Sequence, residues 1–70
     1  MNFGEAIEIV RNGGAMRLTY WDESVSVKLQ SPDENSKMTE PYLYIEFGQD
    51  RSPWINTTQE LLSTDWITFK

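Results

Sequence analysis

The sequence contains neither cysteine nor histidine. Their absence excludes disulfide frameworks, thiol nucleophiles, imidazole general bases and most zinc sites. Basic residues are also few. The chain has six lysines and arginines and eleven aspartates and glutamates, which gives a formal net charge of −5. Affinity for nucleic acid comes mainly from neutralising phosphates with such bases, so we predict no nucleic-acid polymer among the partners.

Long apolar runs are missing as well. No stretch approaches the roughly 20 residues that span a bilayer, and Met1–Glu5 lacks the charged and apolar regions of a signal peptide. We therefore expect an intracellular protein with no membrane partner. The 70 residues predict one domain, residues 1–70, whose small core would be stabilised by association with further copies.

Two pairs of residues have the spacing of a capping box, in which a polar side chain and a carboxylate three residues later bond each other's backbone amide. These pairs are Asn2 with Glu5, and Thr57 with Glu60. They predict a first helix over residues 3–12 and a short second helix over residues 58–63.

Alternating apolar and polar residues predict the strands. The predicted strands cover residues 15–20, 25–30, 42–47, 52–55 and 66–69. In the first of them, Met16, Leu18 and Tyr20 would share one face, and residues 31–37 predict a loop. The fold class is therefore α+β, a small, mostly antiparallel sheet with an N-terminal helix and a short helix before the last strand.

No cluster of residues indicates catalysis. The candidate carboxylates Asp22-Glu23, Asp33-Glu34 and Asp50 all fall in predicted turns, where the carboxylates of an acidic protein are usually solvated. No metal-ligand spacing, phosphate-binding glycine loop or nucleophile elbow is present. We predict a protein that is not an enzyme, with no catalytic residue, no metal and no cofactor.

The aromatic residues are more informative, because three Trp, three Tyr and three Phe exceed what so small a core can bury. Four of them fit apolar faces, and we assign to the core Phe3, Phe47, Trp66 and Phe69. The four that are harder to bury are Trp21, Tyr42, Tyr44 and Trp54. A patch of exposed aromatic residues indicates a subunit interface or a surface on which a planar ligand stacks, and the third alternative is ordinary protein surface.

Four polar residues could meet an anionic ligand. Arg17 and Arg51 are the best-placed cations, although each also fits a surface role or an ion pair. Thr58 and Gln59 begin the second helix and offer a hydroxyl, an amide and free backbone amides, although helix capping alone would explain them.

Four segments of the chain resemble, in the same order, the small phage family called Thoeris anti-defence protein two. The segments are Phe3-Gly4-Glu5-Ala6-Ile7, Arg17-x-x-x-Trp21, Met38-Thr39-Glu40-Pro41-Tyr42-Leu43-Tyr44 and Pro53-Trp54-x-x-x-Thr58-Gln59-x-x-Leu62-x-x-Asp65-Trp66. The resemblance covers nearly the whole chain, and its carboxy-terminal segment is the most specific.

The resemblance implies a molecular sponge without enzymatic activity in the host bacterial cytoplasm. Such proteins bind cyclic ADP-ribose isomers made by bacterial defence enzymes, and some relatives also bind cyclic dinucleotides. The family assembles as homotetramers with nucleotide sites between subunits. A different reading of the aromatic patch is a small phage interaction protein that docks on a host or virion protein and binds no nucleotide.

The resemblance also suggests the residues that would bind the ligand. The positions that match the family's motifs and would contact base or ribose are Trp21, Tyr42, Trp54 and Gln59, with Thr58 beside them. Arg17 is the candidate for the pyrophosphate, by its charge more than by its motif. Asp65 and Trp66 match as well, but we assign them a mainly structural role.

Overall fold

The computed structural model describes residues 1–30 and 41–69. These residues form an α+β fold with an antiparallel sheet, as predicted. The helices are α1 (Phe3–Arg11) and α2 (Thr58–Leu62). The strands are β1 (Ala15–Leu18), β2 (Val25–Gln30), β3 (Tyr42–Phe47), β4 (Asp50–Pro53) and β5 (Trp66–Phe69). Neither of these two helices in the described ranges is long and apolar enough to cross a membrane.

Both predicted capping boxes are present. The Asn2 side chain accepts the Glu5 amide at 2.8 Å, and the Glu5 carboxylate accepts the Asn2 amide at 3.1 Å. The Thr57 hydroxyl accepts the Glu60 amide at 3.2 Å, and the Glu60 carboxylate accepts the Thr57 amide at 2.7 Å. Each box satisfies backbone donors that the first turn of a helix leaves without intrahelical partners.

Two glycines end α1 and start the sheet. Gly13 has a φ of 97°, which side-chain-bearing residues rarely adopt. A Cβ at Gly14 would lie 2.7 Å from the Ile9 side chain, so only glycine fits this close approach. The chain therefore reverses within two residues and enters β1 at Ala15.

The sheet has the strand order β4-β3-β2-β1-β5. Met16 pairs with Val27, and Val27 pairs with Ile45, so these side chains share the face on which α1 packs. We call this side the helix face and the opposite side the open face. The buried cluster on the helix face consists of Ala6, Val10, Met16, Leu18, Val27 and Trp66.

The fourth strand begins two residues earlier than predicted. Phe47 pairs with Asp50, so Gly48-Gln49 is a two-residue hairpin turn. Gly48 has a φ of 60°, as the first central residue of a tight hairpin turn requires. The predicted strand over residues 52–55 is therefore wrong at both ends, because the chain reverses within the two residues Gly48-Gln49.

The first strand ends two residues earlier than predicted. The Trp21 amide donates to the Leu18 carbonyl at 3.0 Å, so the chain turns after Leu18. Tyr20 consequently lies in the turn with 68% of its surface exposed and does not share the face of Met16 and Leu18. Residues 31–37, predicted as a loop, lie outside the described residues.

Two aromatic residues assigned to the core are exposed. Phe47 is 56% exposed, because it lies at the end of β3 while α1 packs mainly on β1, β2 and β5. Phe69 is 42% exposed, because it pairs with Ala15 on the open face. The prediction of a core role was wrong for both residues.

Candidate ligand-binding surfaces

Four aromatic side chains pack together on the helix face. Trp66 is fully buried at their centre, and its ring centroid lies 5.6 Å from that of Phe3, 5.5 Å from that of Trp21 and 5.9 Å from that of Trp54. Phe3 and Trp54 stack with centroids 6.1 Å apart. We call Phe3, Trp21, Trp54 and Trp66 the aromatic cluster. The central, fully buried position of Trp66 confirms its predicted structural role in the core.

The aromatic cluster extends across the sheet. Trp54 follows β4, and its amide donates to the Leu43 carbonyl at 3.0 Å, whereas Trp66 begins β5 at the opposite edge. Neighbouring strands lie about 4.8 Å apart, so β4 and β5 of a flat sheet would be separated by roughly 19 Å. The two indole side chains therefore extend towards each other over the helix face. Their contact holds the segment before α2 close to the segment after α2.

Trp21 and Trp54 are each half-buried. The ring of each one contacts the Trp66 ring, and each side chain is partly exposed to solvent. The structure thus places these two predicted ligand residues in the same cluster. Each is an indole that is held in place from within and could present its exposed part to a ligand.

Thr58 and Gln59 form the exposed start of α2. The Trp66 indole N–H donates to the Glu60 carbonyl at 2.9 Å, so the aromatic cluster holds this helix directly. Trp54 lies four positions before Thr58 in the chain. We call Trp21, Trp54, Thr58 and Gln59 the tryptophan group.

Tyr42 and Arg17 lie on the open face. Trp54 continues the pairing of β4 beside Leu43, so the alternation of side chains places Tyr42 on the other side of the sheet. Arg17 pairs with Ile67, one residue from the inward-facing Leu18. The predicted site residues therefore divide into the tryptophan group and the open-face pair of Arg17 and Tyr42, and their roles in binding stay predictions.

Arg17 is half-buried beside the backbone of the turn. One of its terminal nitrogens lies 3.4 Å from the Leu18 carbonyl oxygen and 3.4 Å from the Trp21 carbonyl oxygen. At these distances both hydrogen bonds are weak. The guanidinium therefore already contacts the backbone that positions Trp21.

Sequence reasoning missed a charge network on the open face. The Glu46 carboxylate accepts from the Lys28 ammonium at 3.0 Å and from Arg51 Nε at 2.9 Å. The hydrogen bond from Lys28, followed by the positive charges of Lys28 and Arg51, holds the pKa of Glu46 below its ordinary value. The Arg51 guanidinium carbon lies 5.1 Å from the centroid of the Tyr44 ring, within range of a cation–π contact.

The strand register explains why the network was missed. Lys28 pairs with Tyr44, and Glu46 pairs with Arg51, so residues from three strands meet on one face. Alternation along a single strand does not reveal which residues on other strands are neighbours. Only the pairing of β2, β3 and β4, together with the short turn before Asp50, could have identified these contacts.

Depressions mark the surface of the described residues on both sides of the sheet. One, of about 100 Å³, lies on the open-face side and is lined by Gln30, Tyr42, Tyr44, Arg51, Ser52 and Pro53. The other, of about 500 Å³, lies between α1 and the sheet and is lined by Ile7, Arg11, Leu29, Pro41 and Leu43. The first combines aromatic rings with a cation, whereas the second is mainly aliphatic.

The turn carboxylate Asp22 has a local structural role. It accepts the Ser24 hydroxyl at 2.7 Å and the Ser24 amide at 2.9 Å. These hydrogen bonds hold the pKa of Asp22 below its ordinary value, so it stays ionised and stabilises the turn. Across residues 1–30 and 41–69, no three acidic side chains cluster as a metal site would require.

Comparison with known proteins identifies the family. A search of curated proteins finds no significant match. The family model of the Thoeris anti-defense 2-like domain matches residues 1–69, which include the aromatic cluster, the tryptophan group and the open-face pair. This match confirms the resemblance found in the sequence and supports an anti-defence role for a phage protein. The chain belongs to the Thoeris anti-defense 2-like domain family.

Proposed function

We propose that this protein sequesters a cyclic nucleotide signal of bacterial immunity, a cyclic ADP-ribose isomer or a related cyclic dinucleotide, in the cytoplasm of the host. The observation that carries the proposal is the family match over residues 1–69, because it spans every predicted ligand residue. Family membership supports the anti-defence role. The identity of the ligand and its sequestration are our proposal.

The aromatic cluster supports binding by stacking. Trp21 and Trp54 are half-buried and packed against the fully buried Trp66, so little side-chain entropy would be lost when a base stacks on them. Stacking of a base on an aromatic side chain contributes about 1–3 kcal/mol. Thr58 and Gln59 would then provide hydrogen bonds to ribose or base from the start of α2.

The separation of the predicted residues supports a site between subunits. Trp54 lies on the helix face and Tyr42 on the open face, so the sheet lies between these two residues. Arg17 also projects from the open face, although its guanidinium contacts the backbone of Trp21. A single ligand contacts both Trp54 and Tyr42 most simply when one protomer supplies the tryptophan group and a second supplies the open-face pair. We propose a homo-oligomer, a tetramer as in the family, in which subunits share their ligands.

Two carboxylates, those of Asp22 and Glu46, support sequestration without cleavage. A general acid or base works best with a pKa near the operating pH. Ser24 lowers the pKa of Asp22, and Lys28 lowers that of Glu46, so both groups are ionised and engaged at neutral pH. Neither is suited to donate or accept a proton during hydrolysis.

Calorimetry with cyclic ADP-ribose isomers tests the proposal. We expect a dissociation constant in the nanomolar range, which corresponds to about 12 kcal/mol and would keep the signal from its effector. The ligand should be recovered chemically intact after heat denaturation of the complex. No binding at micromolar protein would contradict the proposal, and recovery of an altered nucleotide would indicate an enzyme instead.

Exposed apolar side chains favour a second candidate, a protein that docks on a host or virion protein. Ile55 is 88% exposed and Leu62 is 77% exposed, and each could belong to such an interface. This candidate predicts that Trp54→Ala disrupts a protein partnership while no nucleotide is displaced. Sedimentation at tens of micromolar separates the two readings further, because a strict monomer would eliminate a site between subunits.

A further inference from the structure

The open face carries positive charge in an acidic protein. Arg17, Lys28 and Arg51 project from this face, and Glu46 is the only carboxylate among the described strand residues that projects with them. The whole chain has eleven acids against six bases. An anion that approaches this face therefore meets a local charge opposite to the net charge of the protein.

Arg51 is held in a defined orientation. Its Nε donates to Glu46 at 2.9 Å, and its guanidinium lies 5.1 Å from the centroid of the Tyr44 ring. Glu46 is itself held by Lys28 at 3.0 Å. The Arg51 side chain nevertheless remains 60% exposed, so its terminal nitrogens can donate hydrogen bonds to a further partner. A planar guanidinium that is fixed in this way can bind two oxygens of a phosphate at once.

A small depression lies beside Arg51. Its volume is about 100 Å³, and Tyr42, Tyr44 and Pro53 line it together with Arg51. A phosphate group fits within this volume. The Tyr42 ring, whose centroid lies 6.5 Å from that of Tyr44, provides an aromatic surface where a base or ribose attached to the phosphate would lie.

We infer that this depression is a phosphate subsite, in which Arg51 binds a phosphate of the nucleotide and Tyr42 contacts the adjoining base or ribose. The inference rests on the proposed function for the identity of the ligand. It assigns the main phosphate contact to Arg51 instead of Arg17, because the Arg51 side chain is 60% exposed whereas Arg17 is half-buried.

Arginine substitutions test the subsite with a cyclic ADP-ribose isomer as the probe. Arg51→Gln should weaken binding by at least about tenfold, and Arg51→Lys should fall between it and the parent protein because lysine keeps the charge but not the planar fork. Arg11→Gln is the matched control. Arg11 forms an exposed ion pair with Glu8 at 3.8 Å, so its loss should change affinity by less than about twofold.

Inorganic pyrophosphate separates this inference from the proposed function. We expect pyrophosphate to shift the NMR signal of the Arg51 side-chain Nε–H in the folded protein and to leave that of Arg11 unchanged. If Arg51→Gln binds the cyclic nucleotide as tightly as the parent protein, the subsite is wrong although the function stands. If the parent protein binds no cyclic nucleotide, the proposed function is wrong, and the pyrophosphate titration alone then tests the subsite. A selective shift at Arg51 supports the subsite, and equal or absent shifts overturn it.

Discussion

The two faces of the sheet are stabilised by different interactions. On the helix face, Trp66 is fully buried among three other aromatic rings, and its indole N–H bonds the backbone of α2. On the open face, Lys28, Glu46 and Arg51 form a charge network beside the ring of Tyr44. Burial of aromatic surface contributes far more to folding than exposed ion pairs do.

Because the two faces are stabilised differently, we expect the helix face to determine mainly the stability of the fold and the open face to determine mainly the recognition of a ligand. Substitutions on the helix face should mainly lower the free energy of unfolding, because they remove buried apolar contacts. Substitutions on the open face should mainly change the affinity for an anionic ligand, because the groups there are charged and accessible. Trp54 combines both properties, since it packs on Phe3 and Trp66 and remains partly exposed.

The largest effect on stability is expected at Trp66. Trp66→Ala removes a fully buried indole and should lower the free energy of unfolding by about 3–5 kcal/mol. Urea denaturation followed by circular dichroism measures it. Leu62→Ala is the control, because Leu62 is 77% exposed and its loss should cost less than about 0.5 kcal/mol. Similar losses for both variants would show that the aromatic cluster does not dominate the core.

Trp54 and Tyr42 provide a comparison across the sheet. Trp54→Ala should lower the free energy of unfolding by about 2 kcal/mol, because the indole is half-buried in the aromatic cluster. Tyr42→Ala should lower it by less than about 1 kcal/mol. Both should weaken nucleotide binding in calorimetry. If a variant lost stability but bound the nucleotide with unchanged affinity, the substituted residue would not be part of the ligand site.

A smaller effect is expected at the start of α2. Thr57→Ala removes the hydroxyl that accepts the Glu60 amide, and loss of such a cap costs about 1 kcal/mol. Thr58→Ala changes the next residue, which is exposed and lies outside the capping box, and should cost less than about 0.5 kcal/mol. Urea denaturation of the two variants compares them directly. Equal losses would mean that the hydroxyl of Thr57 does not stabilise the helix.

The smallest effect is expected for Glu46 and depends on pH. Lys28 and Arg51 hold the pKa of Glu46 below its ordinary value near 4.5, so the ionised carboxylate stabilises the folded state. This contribution is fully present above that ordinary value and is lost as the pH falls through the lowered pKa of the folded protein. Glu46→Gln should therefore be less stable than the parent protein at pH 7, and the gap should close in strong acid.

Glu8→Gln is the control for the change in net charge, because Glu8 is exposed on α1 and pairs with Arg11 only at 3.8 Å. Denaturation curves across the acid range compare the two variants with the parent protein. A difference between Glu46→Gln and the parent protein that stayed constant down to strong acid would show that the charge of Glu46 is not responsible.

Local sequence patterns were sufficient to identify the helices and strands, but not all of their ends or their contacts. The capping boxes at Asn2 and Thr57 involve residues three positions apart, so they were predictable and are present. The start of β4 depended on the φ of Gly48, which shortens the turn. Exposure of Phe47 depended on how far α1 extends over the sheet, which no local pattern records.

Prediction of the candidate site had the same limit. The sequence identified Trp54 and Tyr42 by residue type and by family resemblance, but their placement on opposite faces required the pairing of β3 with β4. Arg51 was recognised as a cation, whereas its contact with Glu46 depends on the register of two strands. Long-range pairing is set by the whole sheet and is not visible in one segment.

Subunit complementation tests most directly the central claim that two protomers share one ligand. Trp54→Leu would remove the Trp54 indole from the tryptophan group of every subunit, and Tyr42→Leu would remove the Tyr42 phenol from every open face. Each variant alone should therefore bind cyclic ADP-ribose isomers weakly. Mixed oligomers, formed by unfolding and refolding the two variants together, should regain tight binding at a fraction of their sites, because some interfaces then combine two intact surfaces. Calorimetry of the mixture that shows only the weak binding of the separate variants would contradict a shared site.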